Sequence, residues 1–347
     1  MAKTISFGAD DGDFLKLLEA YIQSGNLNFL IGSGASVPAI KLAGNIEHEI
    51  DALLQDKKEV EADLKALDFI EEIIDINRDV ISEIYSDDIA QTLQGYSDFL
   101  SSLDNLLFSR KNSLLPRQAN IFTTNYDFFI ERAATELSTV VLNDGFDRTS
   151  SSKRGYPFSP EKYFDRIFRS GRVYEHHAEL PSLNLLKLHG SLTWSKSEAN
   201  GVRYNLGEFA PLSATDRTDV EKVRDWLSKR AVVLPNMRKF ESTVMDRVYF
   251  DLLRIYSNAL DKENALLIAF GFSFADSHIL DVTKRALRNP TAQLIIFAYD
   301  EGAANGFGSL FSEQRNVLIV RPANGANISF GELNKMLSDV TPTLPGT

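Results

Sequence analysis

Apolar positions follow two rhythms along the chain. Short, mostly apolar runs recur at 27–31, 139–142, 183–188, 231–235, 265–270, 294–298 and 317–320, and 120–127 is a short strand that ends in polar residues. Runs of this length, bounded by turn formers, read as strands buried on both faces. Between them the repeat lengthens to three and four residues. Phe14, Leu17, Leu18, Tyr21 and Ile22 share one helical face ahead of Gly25, a left-handed stop. Val248, Leu252, Leu253, Tyr256 and Leu260 do the same within 244–260, and Ile279, Leu280, Val282 and Leu287 within 274–287. Shorter helices are predicted from 128 and over 330–337. Buried strands alternating with amphipathic helices predict an α/β, Rossmann-like parallel sheet with helices on both faces.

Two stretches depart from that alternation. Residues 41–111 carry Ile46, Ile50, Leu53 and Leu54, then Leu64, Leu67, Ile70, Ile73 and Ile74, at helical spacing with acids between. The tract is too long for one crossover helix, so it reads as a helical insertion with breaks near Asp56 and Asp87. Its acid-rich face reads as solvated surface, with a basic partner as the alternative. Its apolar stripes leave surface for self-association, so a homo-oligomer is expected. Residues 146–182 are rich in Ser, Arg, Pro and Gly and read as an irregular insertion. This segment, locally basic between Arg148 and Arg172, is the one place where a phosphate or nucleic-acid contact could arise. Otherwise 1–347 reads as a single domain.

Composition narrows the partners. The net charge is −11 and the pI about 5.1, and an acidic surface repels phosphate backbones, so no direct nucleic-acid binding is expected. The chain has no cysteine, which excludes disulfides, thiolate catalysis and Cys-ligated zinc. The start, MAKTISFGADDGDF, lacks a signal-peptide pattern, and no apolar stretch approaches the ~18 residues of a membrane span. A cytoplasmic protein with no membrane contact is expected.

Polar clusters fall where the strands end: GSGAS (32–36), TTNYD (123–127), HGS (189–191) and GFSFAD (271–276). In parallel sheets ligands bind beyond the carboxyl ends of strands, so four clusters on one edge predict a nucleotide-sized site. Gly32 and Gly34 would let the backbone take positive φ and a ligand come close, with a following helix N-terminus facing a diphosphate. The third glycine of the usual dinucleotide loop is replaced by Val37. His189 is the natural proton handler, since imidazole titrates near neutral pH; the alternative is a strand-end cap. Asn125 offers a carboxamide to a ribose hydroxyl or a water, or else forms an Asx turn. Asp127 reads first as a helix cap, and Asp276 as a cap or a ribose contact. His48, His176 and His177 receive no role, no metal is expected, and Trp194 reads as core or pocket wall.

In that order, GSGAS, TTNYD, LKLHGS and GFSFAD resemble the motifs of sirtuin-like NAD-consuming domains, over roughly residues 26–280. The resemblance implies that Gly32, Ser33, Gly34, Ala35, Ser36, Thr124, Asp127, Gly271 and Ser273 line an NAD pocket, and that Asn125 and His189 form the catalytic pair. Two departures stand out. Deacylase sirtuins hold a zinc module through four cysteines, absent here, and follow the first loop with proline-aspartate-phenylalanine-arginine, where this chain has Pro38-Ala39-Ile40-Lys41. The pattern is closer to the sirtuin-like proteins of bacterial anti-phage defence, which hydrolyse NAD to nicotinamide and ADP-ribose. Chain size and the lack of a second effector domain point to the subunit that assembles with a HerA-type hexameric ATPase. The resemblance thus implies an NAD glycohydrolase using NAD as substrate, with an NAD or ADP-ribose sensor, or a protein deacylase, as alternatives.

Overall fold

The computed structural model describes residues 2–7, 12–110, 114–149, 155–171, 177–197, 201–206, 211–233, 247–323 and 325–341. The chain opens with β1 (Lys3–Phe7), α1 (Gly12–Ser24) and β2 (Asn26–Ile31). Three helices follow, α2 (Ala43–Gln55), α3 (Glu59–Ile81) and α4 (Asp87–Phe108). Next come β3 (Gln118–Thr123), α5 (Phe129–Ala134) and β4 (Val141–Asn143), then β5 (Tyr156–Pro157), β6 (Phe168–Ser170) and β7 (His177–Glu179). The strands β8 (Ser182–Lys187), β9 (Gly190–Ser197) and β10 (Gly201–Tyr204) precede α6 (Val220–Ser228), β11 (Arg230–Val232) and α7 (Arg247–Leu260). The last part alternates strictly: β12 (Ala265–Phe270), α8 (Ser277–Ala286), β13 (Gln293–Phe297), α9 (Glu301–Leu310), β14 (Val317–Pro322) and α10 (Phe330–Asp339).

Eight strands form one parallel sheet in the order β1-β14-β13-β12-β2-β3-β8-β4. From β2 the chain builds outward through β3 and β8, then returns to β12 on the other side of β2. That reversal of strand order at the sheet's centre opens a crevice at the carboxyl ends. The four central strands are almost wholly buried, as their unbroken apolar runs require.

Register is pinned by polar residues at paired positions of four adjacent strands. Asn28, Asn120, Asn184 and Asn143 stand side by side. Asn120 Nδ2 donates to Asn28 Oδ1 at 2.8 Å, Asn184 Nδ2 to Asn120 Oδ1 at 2.9 Å, and Asn143 Nδ2 to Asn184 Oδ1 at 3.0 Å. A slip of one residue would turn each amide to the wrong face and strand it. Asn120→Leu removes one partner from both neighbours, and a destabilisation of about 1–3 kcal/mol is expected. Urea denaturation measures it; an unchanged midpoint would make the ladder incidental.

Several sequence expectations are corrected here. The strand at residues 3–7 carried no long apolar run and was not anticipated. The run at 231–235 does not join the parallel sheet: β11 pairs antiparallel with β9 in a second sheet, β11-β9-β10-β5, and residues 234 and 235 lie outside the described set. β9 itself follows directly on His189, where the polar HGS cluster concealed a strand. Within 146–182 the described residues include β5 and a β6–β7 hairpin rather than irregular chain alone. Two of its arginines are engaged: Arg148 pairs with Asp144 and lies over Tyr156 and Tyr204, and Arg166 pairs with Glu179. Arg172 and His176 lie outside the described residues.

The acid face of α3 is met from within the chain. Arg217 pairs with Asp68 and Glu71, and Arg224 with Asp63 and Glu59. Trp194 is core, packed edge-on to Phe146. Among the described residues, no helix is long and apolar enough to cross a membrane.

Candidate active site

The loops after β2 and β12 lean directly on each other, and this explains their glycines. Gly32 is extended (φ −105°), not left-handed, and Gly34 is likewise outside the positive-φ region. A Cβ on Gly32 would sit 2.3 Å from the Gly271 carbonyl oxygen, and one on Gly34 2.7 Å from Gly271 Cα. Gly271 takes the left-handed conformation at φ +64°. The expected room for a ligand is therefore room for the opposing loop. Gly32→Ala must push two backbones apart, and a loss of about 1–3 kcal/mol is expected. Thermal unfolding of the variant checks this, and a wild-type midpoint would mean the loops tolerate the methyl.

The helix expected after GSGAS is also corrected. Ser33–Ser36 forms a single 3-10 turn, and α2 begins only at Ala43. Pro38 forces Val37 into extended backbone (φ −78°, ψ 138°), so the turn cannot propagate.

Asn125 is the hub behind that turn. Its Nδ2 donates to the Gly32 carbonyl (3.1 Å), to Ser36 Oγ (3.1 Å) and to the Tyr96 hydroxyl (3.3 Å). A carbonyl oxygen only accepts, so the atom facing Gly32 must be the amide nitrogen, and Oδ1 is the atom left to address a ligand. Ser36 Oγ donates to Asp127 Oδ2 at 2.7 Å, which makes Tyr96 the donor in its 2.9 Å contact with Ser36. Burial, then the neighbouring Asp127 charge, push the Tyr96 phenol well above its usual range, so it stays a neutral donor. Asp127 also accepts from the N–H of Phe129, the first residue of α5, which ties the loop to that helix although the N-cap position itself is Phe128.

Beneath the site lies a buried charge cluster. Lys187, 2% exposed, has its Nζ 2.8 Å from Glu131 Oε1 and also donates to the Asp127 carbonyl and to Ser191 Oγ at 3.2 Å. Burial raises the carboxyls of Asp127 and Glu131, and the Lys187 charge works against that rise.

His189 stands where the chain passes from the parallel sheet into the second sheet. Its carbonyl accepts from Val233 N–H at 2.8 Å, and Val233's carbonyl accepts from the Tyr126 hydroxyl. His189 Nε2 is 2.8 Å from Asp276 Oδ2, and His278 Nε2 is 3.0 Å from Asp276 Oδ1. Asp276 makes no side-chain cap to α8, contrary to the capping alternative. The helix starts at Ser277 rather than at 274, because Phe274 is left-handed (φ 57°) and buried against Phe272 and Phe311. Burial opposes a charged Asp276, yet the two imidazoles outweigh it and hold the carboxyl well below the usual range.

One cleft of about 220 Å³ gathers these groups. Ser33, Ser36, Thr124, Asn125, Asp127, His189, Gly271, Ser273 and Asp276 line it. Gly32, Gly34 and Ala35, expected to line the pocket, are not among the residues that line this cleft. Leu42, Phe69 and Ile73 from the insertion, with Ile40 just ahead of it, add an apolar wall. Sequence reading missed that wall, because helical periodicity does not say what an apolar face covers. It also missed Tyr96, Lys187 and His278. Only His278 had a local signal, two residues after Asp276 in FADSH.

A doubly wound parallel sheet with polar loops meeting at its central switch point, among them an asparagine and a histidine, defines a nucleotide-binding α/β protein. Residues 119–319, more than half of the chain, match the family model of the SIR2-like domain, and the chain belongs to that family. SIR2-like domains are NAD-dependent enzymes. No curated protein matches the chain.

Proposed function

We propose that the protein is an NAD glycohydrolase that cleaves NAD to nicotinamide and ADP-ribose. The observation that carries this reading is the joint lining of one cleft by Asn125 and His189, with Asp276 set against the imidazole. NAD would lie with its diphosphate along Ser33–Ser36 and Ser273 and its nicotinamide ribose toward Asn125 and His189. The bond between nicotinamide nitrogen and ribose C1′ breaks with its electron pair leaving on nicotinamide. Asn125 Oδ1 orients the incoming water or a ribose hydroxyl, and His189 takes the proton as the new C–O bond forms. Asp276 supports the imidazolium that results. General-base assistance of this kind contributes about 10²–10⁴-fold.

A cleft of 220 Å³ is below the roughly 300–1,000 Å³ of small-molecule sites, so binding would have to part the insertion wall from the glycine loops. The absence of cysteine in the sequence speaks against the zinc-bearing deacylase alternative. The sensor alternative gives binding without turnover. The reading extends to anti-phage defence by NAD depletion, as a homo-oligomer that engages a HerA-type ATPase. Exposed Leu42, Val60, Ile84 and Phe108 on and beside the insertion support such assembly.

Chromatography of NAD incubated with the purified chain, alone and with a candidate ATPase, tests the proposal. Equimolar nicotinamide and ADP-ribose without any acyl peptide are expected. Release only in the presence of an acetyl-lysine peptide would establish the deacylase instead, and binding with no release under either condition the sensor.

A further inference from the structure

His278 has no part in the reaction outlined above, yet it completes a compact set of donors. We propose that His189, Asp276 and His278 form a site for a borderline transition-metal cation, best matched by Zn²⁺, whose occupancy takes the His189 imidazole out of the reaction. One ligand atom from each of the three residues lies within 4.8 Å of the other two. Their side chains are 6%, 7% and 9% exposed, so this is a walled set and not a cluster of solvated surface acids.

The contact geometry favours an ion over a plain hydrogen-bonded triad. His189 Nε2 and both Asp276 oxygens are buried, but the ring N–H is not aligned with the carboxylate as a hydrogen bond requires. Buried polar atoms left in that condition are costly, and a cation between them would remove the cost. Zn²⁺ binds nitrogen and oxygen at about 2.0–2.2 Å, which spaces tetrahedral donors by about 3.3 Å. The 2.8 and 3.0 Å contacts, made to different oxygens of Asp276, would open by about half an ångström, while the widest separation of the set, within 4.8 Å, would close by up to about 1.5 Å.

Donor type selects the ion. Two imidazoles and one carboxylate suit Zn²⁺, whereas Mg²⁺ and Ca²⁺ prefer oxygens and retained water. Three protein ligands leave a fourth position, and His189 and Asp276 present it to the cleft. An ion could also arrive from the other side, because His278 lines a separate open groove of about 1,030 Å³ beside α8.

Binding does not depend on the hydrolase reading; the inhibitory consequence does. An imidazole bound to a metal through Nε2, the nitrogen that faces Asp276, carries its own proton on Nδ1 and has no lone pair left to take the proton of the attacking water. The full chain, stripped with chelator, is titrated with Zn²⁺ by calorimetry and with Co²⁺ by visible absorption. One ion per chain is expected, with the intense tetrahedral Co²⁺ band. His278→Ala and the closer-sized His278→Gln are each expected to weaken Zn²⁺ binding by about 100-fold, with circular dichroism confirming that both variants are folded. Nicotinamide release by wild type should fall as Zn²⁺ saturates and return with chelator.

Absence of one-to-one binding, or equal affinity in wild type and both His278 variants, overturns the site. Saturating Zn²⁺ that leaves an active chain at full rate overturns the inhibition. A chain that binds Zn²⁺ but never releases nicotinamide keeps the site and rejects the hydrolase reading; the reverse pattern does the opposite.

Discussion

His189→Ala is expected to lower the rate of nicotinamide release by about 10²–10⁴-fold, the usual contribution of a positioned general base. The loss should appear in kcat, because the imidazole acts on the proton of the incoming water rather than on the bound dinucleotide. Asn125→Ala is expected to lower kcat by about 10²-fold through a misplaced nucleophile. It should also weaken NAD binding, since its Nδ2 holds the Gly32 carbonyl, Ser36 and Tyr96 together. Steady-state kinetics of both variants, with melting curves to exclude unfolding, separate the two effects. Wild-type turnover by both would sink the assignment of either residue.

Lys187→Met carries the largest expected effect on stability. Lys187 is the cation facing Glu131 and the Asp127 carbonyl in a region closed to water. Removing one partner of a buried pair leaves the other charge uncompensated, so a destabilisation of about 3–5 kcal/mol is expected at pH 7. The pH dependence has a definite sign. Burial already raises both carboxyls, and without the lysine charge they rise further. A carboxyl raised in the folded state contributes stability that is full below its unfolded pKa of about 4 and is lost as pH climbs through the folded value. The Lys187→Met deficit should therefore be small near pH 4 and grow toward pH 8. Adding Glu131→Gln should recover part of the loss at pH 8. Urea midpoints at the two pH values measure this; a deficit that does not vary with pH would point to lost packing alone.

Much of the sheet was legible because parallel strands buried on both faces must be apolar throughout. The runs at 27–31, 183–188 and 265–270 became β2, β8 and β12 nearly residue for residue. The breaks near Asp56 and Asp87 separate α2, α3 and α4. The four strand-end clusters also mark the carboxyl ends of four adjacent strands.

What could not be read was tertiary in origin. Gly32 and Gly34 looked like a ligand cradle because a sequence shows the missing Cβ but not the Gly271 backbone that occupies its place. Asp276 looked like a helix cap from its position, and only the fold brings His189 and His278 to it from different elements. Tyr96 lies on a helix read as insertion surface, yet its hydroxyl sits at the hub of the site. The second sheet escaped notice because β9 follows directly on the polar HGS cluster, although Ser191, Leu192, Thr193, Trp194 and Ser195 alternate as a strand would; Ser191 and Thr193 are buried all the same.

A crystal structure with ADP-ribose bound would examine the central claim most directly. The diphosphate should lie against Ser33–Ser36 and Ser273, with the terminal ribose within hydrogen-bonding reach of Asn125 and His189. ADP-ribose found in the open groove beside α8, with the cleft between the β2 and β12 loops unchanged, would contradict it.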